Sequence, residues 1–299
     1  MTDSHDSVAG FDRVLNFRDV GEFVGRFTHG SRLKPGMLYR SARLDDATPS
    51  DRDKLVNQLN ITTVIDLRST TEHIIAAKKH ADAVALAQAA AQPPTAKETD
   101  VAPLKIPGLR YAEINLNGRA FERALVWQLK YGSLARLVFL MATGYRAEGI
   151  AILSREIMVP RGLTGLGVDT LDHSGPEIKE IFDVLADQDS YPVLVHCTQG
   201  KDRTGISILL VLLLSGAPME GIVKDYRLSE LELESEKEER MKEITKFGLD
   251  ESFVKCPPDF CDRILNHVET KYGGIGKYLE SIGVDETQQA NVRRILVAS

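Results

Sequence analysis

The chain has 299 residues, of which 43% are apolar and 27% are charged, and this composition is ordinary for a globular protein that buries a substantial core. Its net charge of −6 argues against a general affinity for nucleic acid or for an anionic membrane, although a local basic pocket is compatible with it. No apolar run approaches the ~18 residues of a membrane span and no secretory leader opens the chain, so we expect a cytoplasmic protein without an integral membrane segment.

In chain order, the first segments predict a tail followed by a strand of a central sheet. Residues 1–10 are polar and predict a flexible tail, whereas residues 11–299 are expected to form a single domain. The β-branched run at 63–67 predicts a buried strand that delivers Asp66 near its carboxyl end. In open α/β sheets, ligands bind at that edge. Residues 82–108, rich in Ala, Gln and Pro, predict a flexible or partly ordered connection.

The middle of the chain predicts a helical insertion. Residues 109–116 can form another strand, and the segments 121–143 and 148–158 carry apolar residues at helical spacing. These segments show more apolar surface than one exposed helix should, and two interpretations are open. The helices could form a lid over the ligand-binding edge or an ordinary subdomain packed on the sheet. We expect residues 82–160 to be a connection plus helical insertion and residues 236–299 to be a C-terminal helical extension.

Three cysteines are too few for a disulfide scaffold and suit a reducing compartment. Cys256 and Cys261 lack the second close pair of ligands that a zinc site needs, so we expect thiols without a metal. The third, Cys197, lies in a different context.

The most informative segment, residues 196–205, reads His-Cys-Thr-Gln-Gly-Lys-Asp-Arg-Thr-Gly and lies between two apolar runs. This order predicts a strand, a loop and a buried helix. Five residues separate Cys197 from Arg203, enough for a short loop that turns its backbone N–H groups inward at a helix N-terminus. Such surroundings favour the thiolate form of a cysteine, and a guanidinium matches two oxygens of a phosphate. The segment therefore predicts a nucleophile, an anion pocket and a charge clamp.

This segment resembles the signature loop of the cysteine-dependent phosphatases, Cys-x5-Arg followed by Ser or Thr, and more narrowly a bacterial and fungal group of tyrosine phosphatases. Four other stretches support the resemblance: Asn-Phe-Arg-Asp-Val-Gly at 16–21, Leu-Tyr-Arg-Ser-Ala at 38–42, Val-Ile-Asp-Leu-Arg-Ser at 64–69 and Asp-Tyr-Arg-Leu-Ser at 225–229. It implies an α/β fold with a central, mostly parallel sheet flanked by helices, and a helical lid. It covers about residues 11–80 and 160–235.

The loop chemistry needs no metal or cofactor. Cys197 would attack the phosphorus of a phosphate monoester to give a cysteinyl-phosphate, which water would then hydrolyse. Arg203 and the inward N–H groups would hold the equatorial oxygens. Thr204 is expected to donate its hydroxyl to the sulfur. The expected substrate-binding residues are those that complete the loop: Thr198, Gln199, Gly200, Lys201, Thr204 and Gly205. The two glycines would allow the tight turn and the close packing of the loop on the helix.

A carboxylic acid must protonate the leaving oxygen. Asp202 is the first candidate, as the resemblance implies, and its alternative is a structural carboxylate paired with a neighbouring cation. Asp66 is the second candidate, or else a residue that orients the loop, and Asp172 is the third. His196, which precedes the nucleophile, is expected to orient the loop backbone and the sulfur.

Lys201 is expected to place a second cation at the rim of the pocket. A lysine at this position is similar to that of phosphoinositide 3-phosphatases, but Thr198 stands where those enzymes have a further lysine. We therefore expect a phosphorylated protein or a phosphoinositide as substrate, with soluble inositol polyphosphates as the alternative. Two other classes remain open: a rhodanese-like sulfurtransferase and a non-catalytic phosphate-binding module.

Overall fold

The computed structural model describes residues 10–27, 33–90 and 104–298. The expected flexible tail lies outside the described residues except for Gly10, and so does the part of the expected connection at 91–103. Within the described ranges, no helix is both long enough and apolar enough to cross a membrane.

A five-stranded sheet forms the centre of the fold. Its strands are β1 (Arg18–Asp19), β2 (Leu38–Ser41), β3 (Thr63–Asp66), β4 (Arg110–Glu113) and β5 (Val193–His196). They lie in the order β1-β2-β5-β3-β4, and all neighbours are parallel except β1 and β2. The predicted α/β class with a mostly parallel sheet is confirmed. The register places Asp66 opposite His196, so β3 and β5 end side by side at one edge.

Fourteen α-helices flank the sheet in the described part of the chain. They are α1 (Val20–Gly25), α2 (Pro49–Asp53), α3 (Thr70–Ala90), α4 (Arg119–Val126), α5 (Tyr131–Ala142), α6 (Arg146–Leu153), α7 (Val159–His173), α8 (Gly175–Ala186), α9 (Asp202–Leu214), α10 (Met219–Glu232), α11 (Lys237–Lys246), α12 (Phe260–His267), α13 (Ile275–Ser281) and α14 (Glu286–Leu296). Short π-helical turns follow α2, α6 and α12.

The sheet is buried on both faces, as expected for parallel strands. On β5, Val193 and Val195 pack into one apolar cluster with α8, α9 and α14, whereas Leu194 packs into a second cluster with Val64 and Leu55. This alternation follows from the two-residue period of a strand. Helix α9 is buried along almost its whole length, so the segment that follows the loop is anchored in the core.

The helical insertion has an apolar cluster of its own, which we call the insertion cluster. This cluster packs the helices from α4 through α7 against the segment that follows α10. Its buried members are Phe121, Leu125, Leu129, Leu137, Ile157, Leu166, Ile244 and Phe253. These contacts agree with a helical subdomain packed on the rest of the chain. Movement of these helices as a lid stays a prediction.

Two predicted boundaries were wrong. Helix α3 continues to Ala90, so residues 82–90 are helical rather than part of a flexible connection. The alanines of this stretch favour a helix, and the first proline comes only at Pro93. The predicted helix at 121–143 is broken between α4 and α5, because the chain turns at Leu129 to bury that side chain in the insertion cluster.

Candidate active site

Residues 197–205, here called the phosphate loop, join the end of β5 to the start of α9. Cys197 follows the last residue of β5 and is buried, and Arg203 lies in the first turn of α9. The loop thus ends on the N-terminus of a buried helix, where backbone N–H groups have no partner within the helix. The strand, loop and helix predicted from the sequence are confirmed.

Three successive carbonyl groups of the loop, those of residues 198–200, are each bound by a donor from the N-terminal part of the chain. Arg43 N–H donates to the carbonyl of Thr198 at 3.0 Å. Asn16 Nδ2 donates to that of Gln199 at 2.9 Å, and Arg40 Nη2 to that of Gly200 at 2.6 Å. By contrast, none of the N–H groups from residue 198 to residue 203 donates a hydrogen bond to the part of the chain that the structure describes. This arrangement is a cradle of free donors.

The two loop glycines permit close approach. Gly200 has a φ of +65°, and a Cβ added there would lie 2.0 Å from the carbonyl oxygen of Ser41. Only glycine avoids both the strain and the collision. At Gly205, a Cβ would lie 3.0 Å from the ring of Tyr226, which packs against the first turn of α9.

A buried ionic network supports the outer face of the loop. Asp225 of α10 accepts a hydrogen bond from Arg18 Nε at 2.7 Å and pairs with Arg40 Nη1 through its other oxygen. Arg18 also donates to the carbonyl of Asp225 at 2.6 Å and to Ser229 Oγ at 3.1 Å. Burial lowers the pKa of Arg18 to about 10, although the negative charge of Asp225 acts to raise it. Three of the four flanking motifs therefore converge beneath the loop.

Arg203 is held by a residue that the sequence reasoning missed. Glu72, near the start of α3, accepts hydrogen bonds from both terminal nitrogens of Arg203 at 2.7 Å, and it also accepts one from Thr198 Oγ1. Its carboxylate caps α3 as well, because it receives the N–H and hydroxyl of Ser69. The spacing Ser-x-x-Glu after a strand was the available signal for this cap.

The charges of Arg203 and Glu72 stabilise each other. Burial would raise the pKa of Glu72, but the hydrogen bonds and charge of Arg203, with the bond from Thr198, hold it well below its usual value. Burial would lower the pKa of Arg203, but Glu72 and the neighbouring Cys197 raise it instead. The guanidinium therefore stays charged and is fixed in orientation beside the loop.

Asp66 is engaged by Arg68, which donates to it from Nη2 at 2.8 Å and also binds Asp45 at 2.6 Å. Burial would raise the pKa of Asp66, but His196 and Arg68 lower it. The ionised form of Asp66 has no proton to give to a leaving group. Its expected role of orienting the site suits this geometry better than that of the acid.

His196 is buried beneath the nucleophile. Its Nδ1 lies 3.0 Å from the carbonyl oxygen of Cys197, so Nδ1 carries a proton there, because a carbonyl only accepts. Burial lowers the pKa of His196 and favours the neutral ring, although Asp66 opposes this effect. The contact orients the backbone at Cys197, which is the part expected of this residue.

Two polar side-chain atoms of the loop form no hydrogen bond with the described residues. Oδ1 of Asp202 and Oγ1 of Thr204 are buried atoms without a hydrogen bond there. Asp202 is the first residue of α9, and its Oδ1 forms an ion pair with Lys201 Nζ at 3.6 Å, which is too long for a hydrogen bond. This pairing is the alternative expected for Asp202, and its role as the acid stays a prediction. Buried polar atoms without a hydrogen bond are uncommon in folded proteins, and an unfilled ligand site is one explanation for them.

Lys201 does not lie where the sequence suggested. Its side chain is fully buried, and Nζ donates to the carbonyls of Phe253 and Lys255 at 2.9 and 2.8 Å. The expected position at the rim of the pocket was wrong, because two carbonyls of the C-terminal segment bind the ammonium. The four-carbon side chain can reach in either direction from the loop, and sequence position does not reveal which.

The remaining candidates lie apart from this arrangement. Asp172 accepts from His267 at 2.7 Å and pairs with Lys271 at 2.8 Å, so its oxygens are used by the C-terminal helices. Cys256 and Cys261 are buried and unpaired, and burial raises the pKa of each thiol to about 12. Both thiols are therefore protonated at neutral pH.

Comparison with known proteins agrees with this geometry. A profile of the tyrosine phosphatase family matches residues 9–298. The chain is 36% identical over 146 residues to a tyrosine-protein phosphatase of Nostoc commune, in a match that covers 45% of this chain and 49% of that protein. It is 25% identical over 300 residues to the triple specificity protein phosphatase PtpB of Mycobacterium tuberculosis, in a match that covers 94% and 96%. The likeness extends over the insertion and the C-terminal helices, which no sequence motif had assigned.

Proposed function

The chain belongs to the tyrosine phosphatase family and is a protein tyrosine phosphatase, and we propose that it hydrolyses phosphomonoesters through a cysteinyl-phosphate on Cys197. The observation that carries the proposal is the one-sided pairing of the phosphate loop. Its outward carbonyls at 198–200 are all bound, whereas the N–H groups of residues 198–203 are free among the described residues. Converging free N–H groups at a helix N-terminus suit a phosphate dianion.

The first step transfers the phosphoryl group to sulfur. The thiolate of Cys197 attacks phosphorus, so that an S–P bond forms while the P–O bond to the leaving group breaks. Arg203 and the loop N–H groups hold the three equatorial oxygens and stabilise the charge that develops on them. Glu72 fixes Arg203 for this task and is a positioning residue rather than a catalytic one.

Asp202 supplies and recovers the proton in this proposal. In its acid form it protonates the leaving oxygen, and in the second step it takes a proton from the water that attacks the cysteinyl-phosphate. The S–P bond then breaks, which releases inorganic phosphate and restores the thiolate. The supporting observation is that Oδ1 of Asp202 is a buried atom without a hydrogen bond among the described residues and has only a 3.6 Å ion pair with Lys201 Nζ, whereas the oxygens of Asp66 and Asp172 accept hydrogen bonds.

Trapping the intermediate tests this mechanism. The protein is mixed with an aryl phosphate, quenched in acid within the first turnover, and analysed by peptide mass spectrometry for one phosphoryl group on Cys197. Cys197→Ser should show neither the adduct nor turnover, because a serine hydroxyl here has no dedicated base. Cys261→Ala removes a buried thiol whose pKa is raised to about 12, and this control should keep the adduct. Turnover by a folded Cys197→Ser protein would exclude the mechanism.

We propose phosphotyrosine proteins as the substrate class. Activity on phosphoinositides stays a prediction, and it has lost the support of a cation at the pocket rim, since Lys201 binds two carbonyls instead. The name of the mycobacterial relative describes a broader specificity and justifies a wider panel. That panel contains phosphotyrosine and phosphoserine peptides, one monophosphorylated phosphoinositide and inositol polyphosphates, with Cys197→Ser as the blank. Turnover of inositol polyphosphates alone would favour a soluble inositol polyphosphate phosphatase.

A further inference from the structure

Helix α5 carries an apolar face that no described residue covers. One side of the helix is buried through Leu137 in the insertion cluster, and the opposite side is exposed. We call the exposed apolar face the α5 stripe; its residues are Tyr131, Ala135, Val138, Phe139 and Ala142. Tyr131 is 91% exposed and Phe139 is 65% exposed. Because a contiguous exposed apolar face on one helix is uncommon, the stripe is a candidate binding surface.

Two further exposed aromatic side chains lie in the turns that flank α5. Trp127 lies four residues before Tyr131 and is 71% exposed, and Tyr145 follows Ala142 by three residues and is 57% exposed. The helical part alone spans roughly 16 Å at 1.5 Å per residue. Tryptophan and tyrosine are the side chains that favour the headgroup level of a bilayer, where an apolar ring meets a polar edge.

The charge around the stripe is opposite to that of the whole protein. Residues 119–153 contain five basic side chains and two acidic ones, whereas the complete chain has a net charge of −6. All five basic side chains are exposed, and none forms an ion pair with another described residue: Arg119, Arg123, Lys130, Arg136 and Arg146. The segment that carries the stripe is therefore positive and rich in exposed aromatic side chains, although the whole chain is negative.

We propose that the α5 stripe and its basic neighbours dock the protein on the surface of an anionic phospholipid membrane, with α5 lying in the plane of the interface. Exposed aromatic side chains combined with unpaired cations are typical of helices that bind in this way. A second copy of the chain fits less well, because a symmetric contact through this surface would bring the basic side chains of both copies together. The proposal does not depend on the catalytic mechanism above.

Flotation with phospholipid vesicles tests the proposal. The wild type should float with vesicles that contain about one third phosphatidylserine and should not float with pure phosphatidylcholine, because each nearby cation strengthens binding to an anionic surface about fivefold. Phe139→Ser should weaken binding about ten- to hundred-fold, since the burial of one aromatic side chain is lost. Arg136→Glu should weaken it at least fivefold, and added salt should release the wild type.

Two matched variants serve as controls. Leu231→Ser removes an apolar side chain of equal exposure, 65%, on α10, and Arg293→Glu reverses an exposed charge on α14. Both should bind vesicles as the wild type does. Phe139 is a surface residue, so its variant should keep the thermal midpoint of the wild type; if it does not, Tyr131→Ser replaces it.

Four outcomes would overturn the proposal. The first is no binding of the wild type to anionic vesicles, or equal binding to neutral ones. The second is unchanged binding by Phe139→Ser. The third is a dimer in sedimentation that Phe139→Ser dissociates, which would make the stripe a contact between copies. The fourth is a change in kcat/KM of the Phe139→Ser protein for a soluble aryl phosphate in the absence of vesicles. That result would show that the stripe covers the catalytic cleft.

Discussion

The two faces of the phosphate loop differ in how their polar groups are satisfied. On the outer face, donors from Asn16, Arg40 and Arg43 bind three successive carbonyls, and Asp225 holds one of those arginines in place. On the inner face, the backbone N–H groups and Oδ1 of Asp202 form no hydrogen bond with the described residues, and Oδ1 has only a 3.6 Å ion pair with Lys201 Nζ. Both faces are built from the same few residues, yet one is complete and the other is not.

This difference separates scaffold from site. A buried polar group that lacks a partner costs free energy, and the completed outer face is what allows the inner face to tolerate that cost. Substitutions on the inner face should therefore change the chemistry and leave stability almost intact. Substitutions on the outer face should lower the free energy of unfolding and should lower kcat/KM equally for all substrates.

Asp202→Asn tests the inner face and should have the largest effect on rate. If Asp202 protonates the leaving oxygen, the variant should lose about a hundred- to ten-thousand-fold on an alkyl or tyrosyl phosphate and much less on an activated phenyl phosphate. The measurement is the dependence of kcat/KM on leaving-group pKa, with Asp66→Asn as the comparison. Equal losses across all substrates would make Asp202 part of the scaffold, and a steeper dependence only in Asp66→Asn would transfer the acid role to Asp66.

Asp225→Asn tests the outer face. Removal of the carboxylate leaves Arg18 and Arg40 buried without their shared counter-charge, and breaking such a pair typically costs about 3–5 kcal/mol. We expect a lower free energy of unfolding in urea, with parallel losses on good and poor leaving groups. Glu220→Gln, which removes an exposed partner of Lys224 on the same helix, should cost less than about 1 kcal/mol. An Asp225→Asn protein as stable as the Glu220→Gln protein would contradict this account of the outer face.

Glu72→Gln tests the boundary between the two faces, because Glu72 orients Arg203 without belonging to the loop. Loss of the ionic partner of Arg203 should lower kcat/KM about ten- to hundred-fold, the range expected for a charged hydrogen bond. Adding Glu72→Gln to an Arg203→Lys protein should not restore activity. Glu238→Gln, on the exposed side of α11, is the matched control and should be neutral.

The pairing of Glu72 with Arg203 also predicts how protein stability depends on pH. The pKa of Glu72 is lower in the folded protein than its ordinary value of 4.5, so its contribution to stability is complete above pH 4.5 and declines as the pH falls toward the folded-state pKa. The difference in thermal midpoint between wild type and Glu72→Gln should therefore be constant from pH 7 to about pH 5 and should shrink in stronger acid. A difference that grows on acidification would refute this sign.

Lys201→Met should have the smallest effect on catalytic rate, and that effect should be the same for all substrates. The variant leaves the carbonyls of Phe253 and Lys255 without their donor, which should cost about 1–3 kcal/mol of stability. Because the ammonium does not face the pocket, highly charged substrates should lose no more than simple ones. Lys255→Met, an exposed lysine of the same segment, is the control. A loss of activity confined to polyphosphorylated substrates would show that Lys201 lies at the rim of the pocket after all.

The sequence predicted those features whose residues are close together along the chain. The strand, loop and helix around Cys197 could be recognised because 196–205 contains all of them. The pairing of Arg203 with Glu72 could not, since the two residues lie 131 positions apart and only the sheet brings α3 beside the loop. The start of the connection was placed too early, at residue 82, because an alanine-rich stretch next to prolines suits both a helix and a loop.

The flanking motifs show an intermediate case. Asn16, Arg18, Arg40 and Asp225 were noted as points of resemblance, but their patterns gave no roles. Their function as donors and counter-charges beneath the loop depends on which side chains the sheet order β1-β2-β5 places together. Long charged side chains such as Lys201 are the hardest to predict, because several rotatable bonds separate the charge from the backbone.

The contact of Lys201 with the C-terminal segment makes the chain hard to divide. Phe253 accepts the Lys201 ammonium through its carbonyl and places its ring in the insertion cluster, so one residue joins the phosphate loop to the helical insertion. A protein truncated after α10 would leave the ammonium buried without either acceptor and would open the cluster around α7. We therefore expect the phosphate loop, the insertion and the C-terminal segment around Phe253 to unfold together as one cooperative unit.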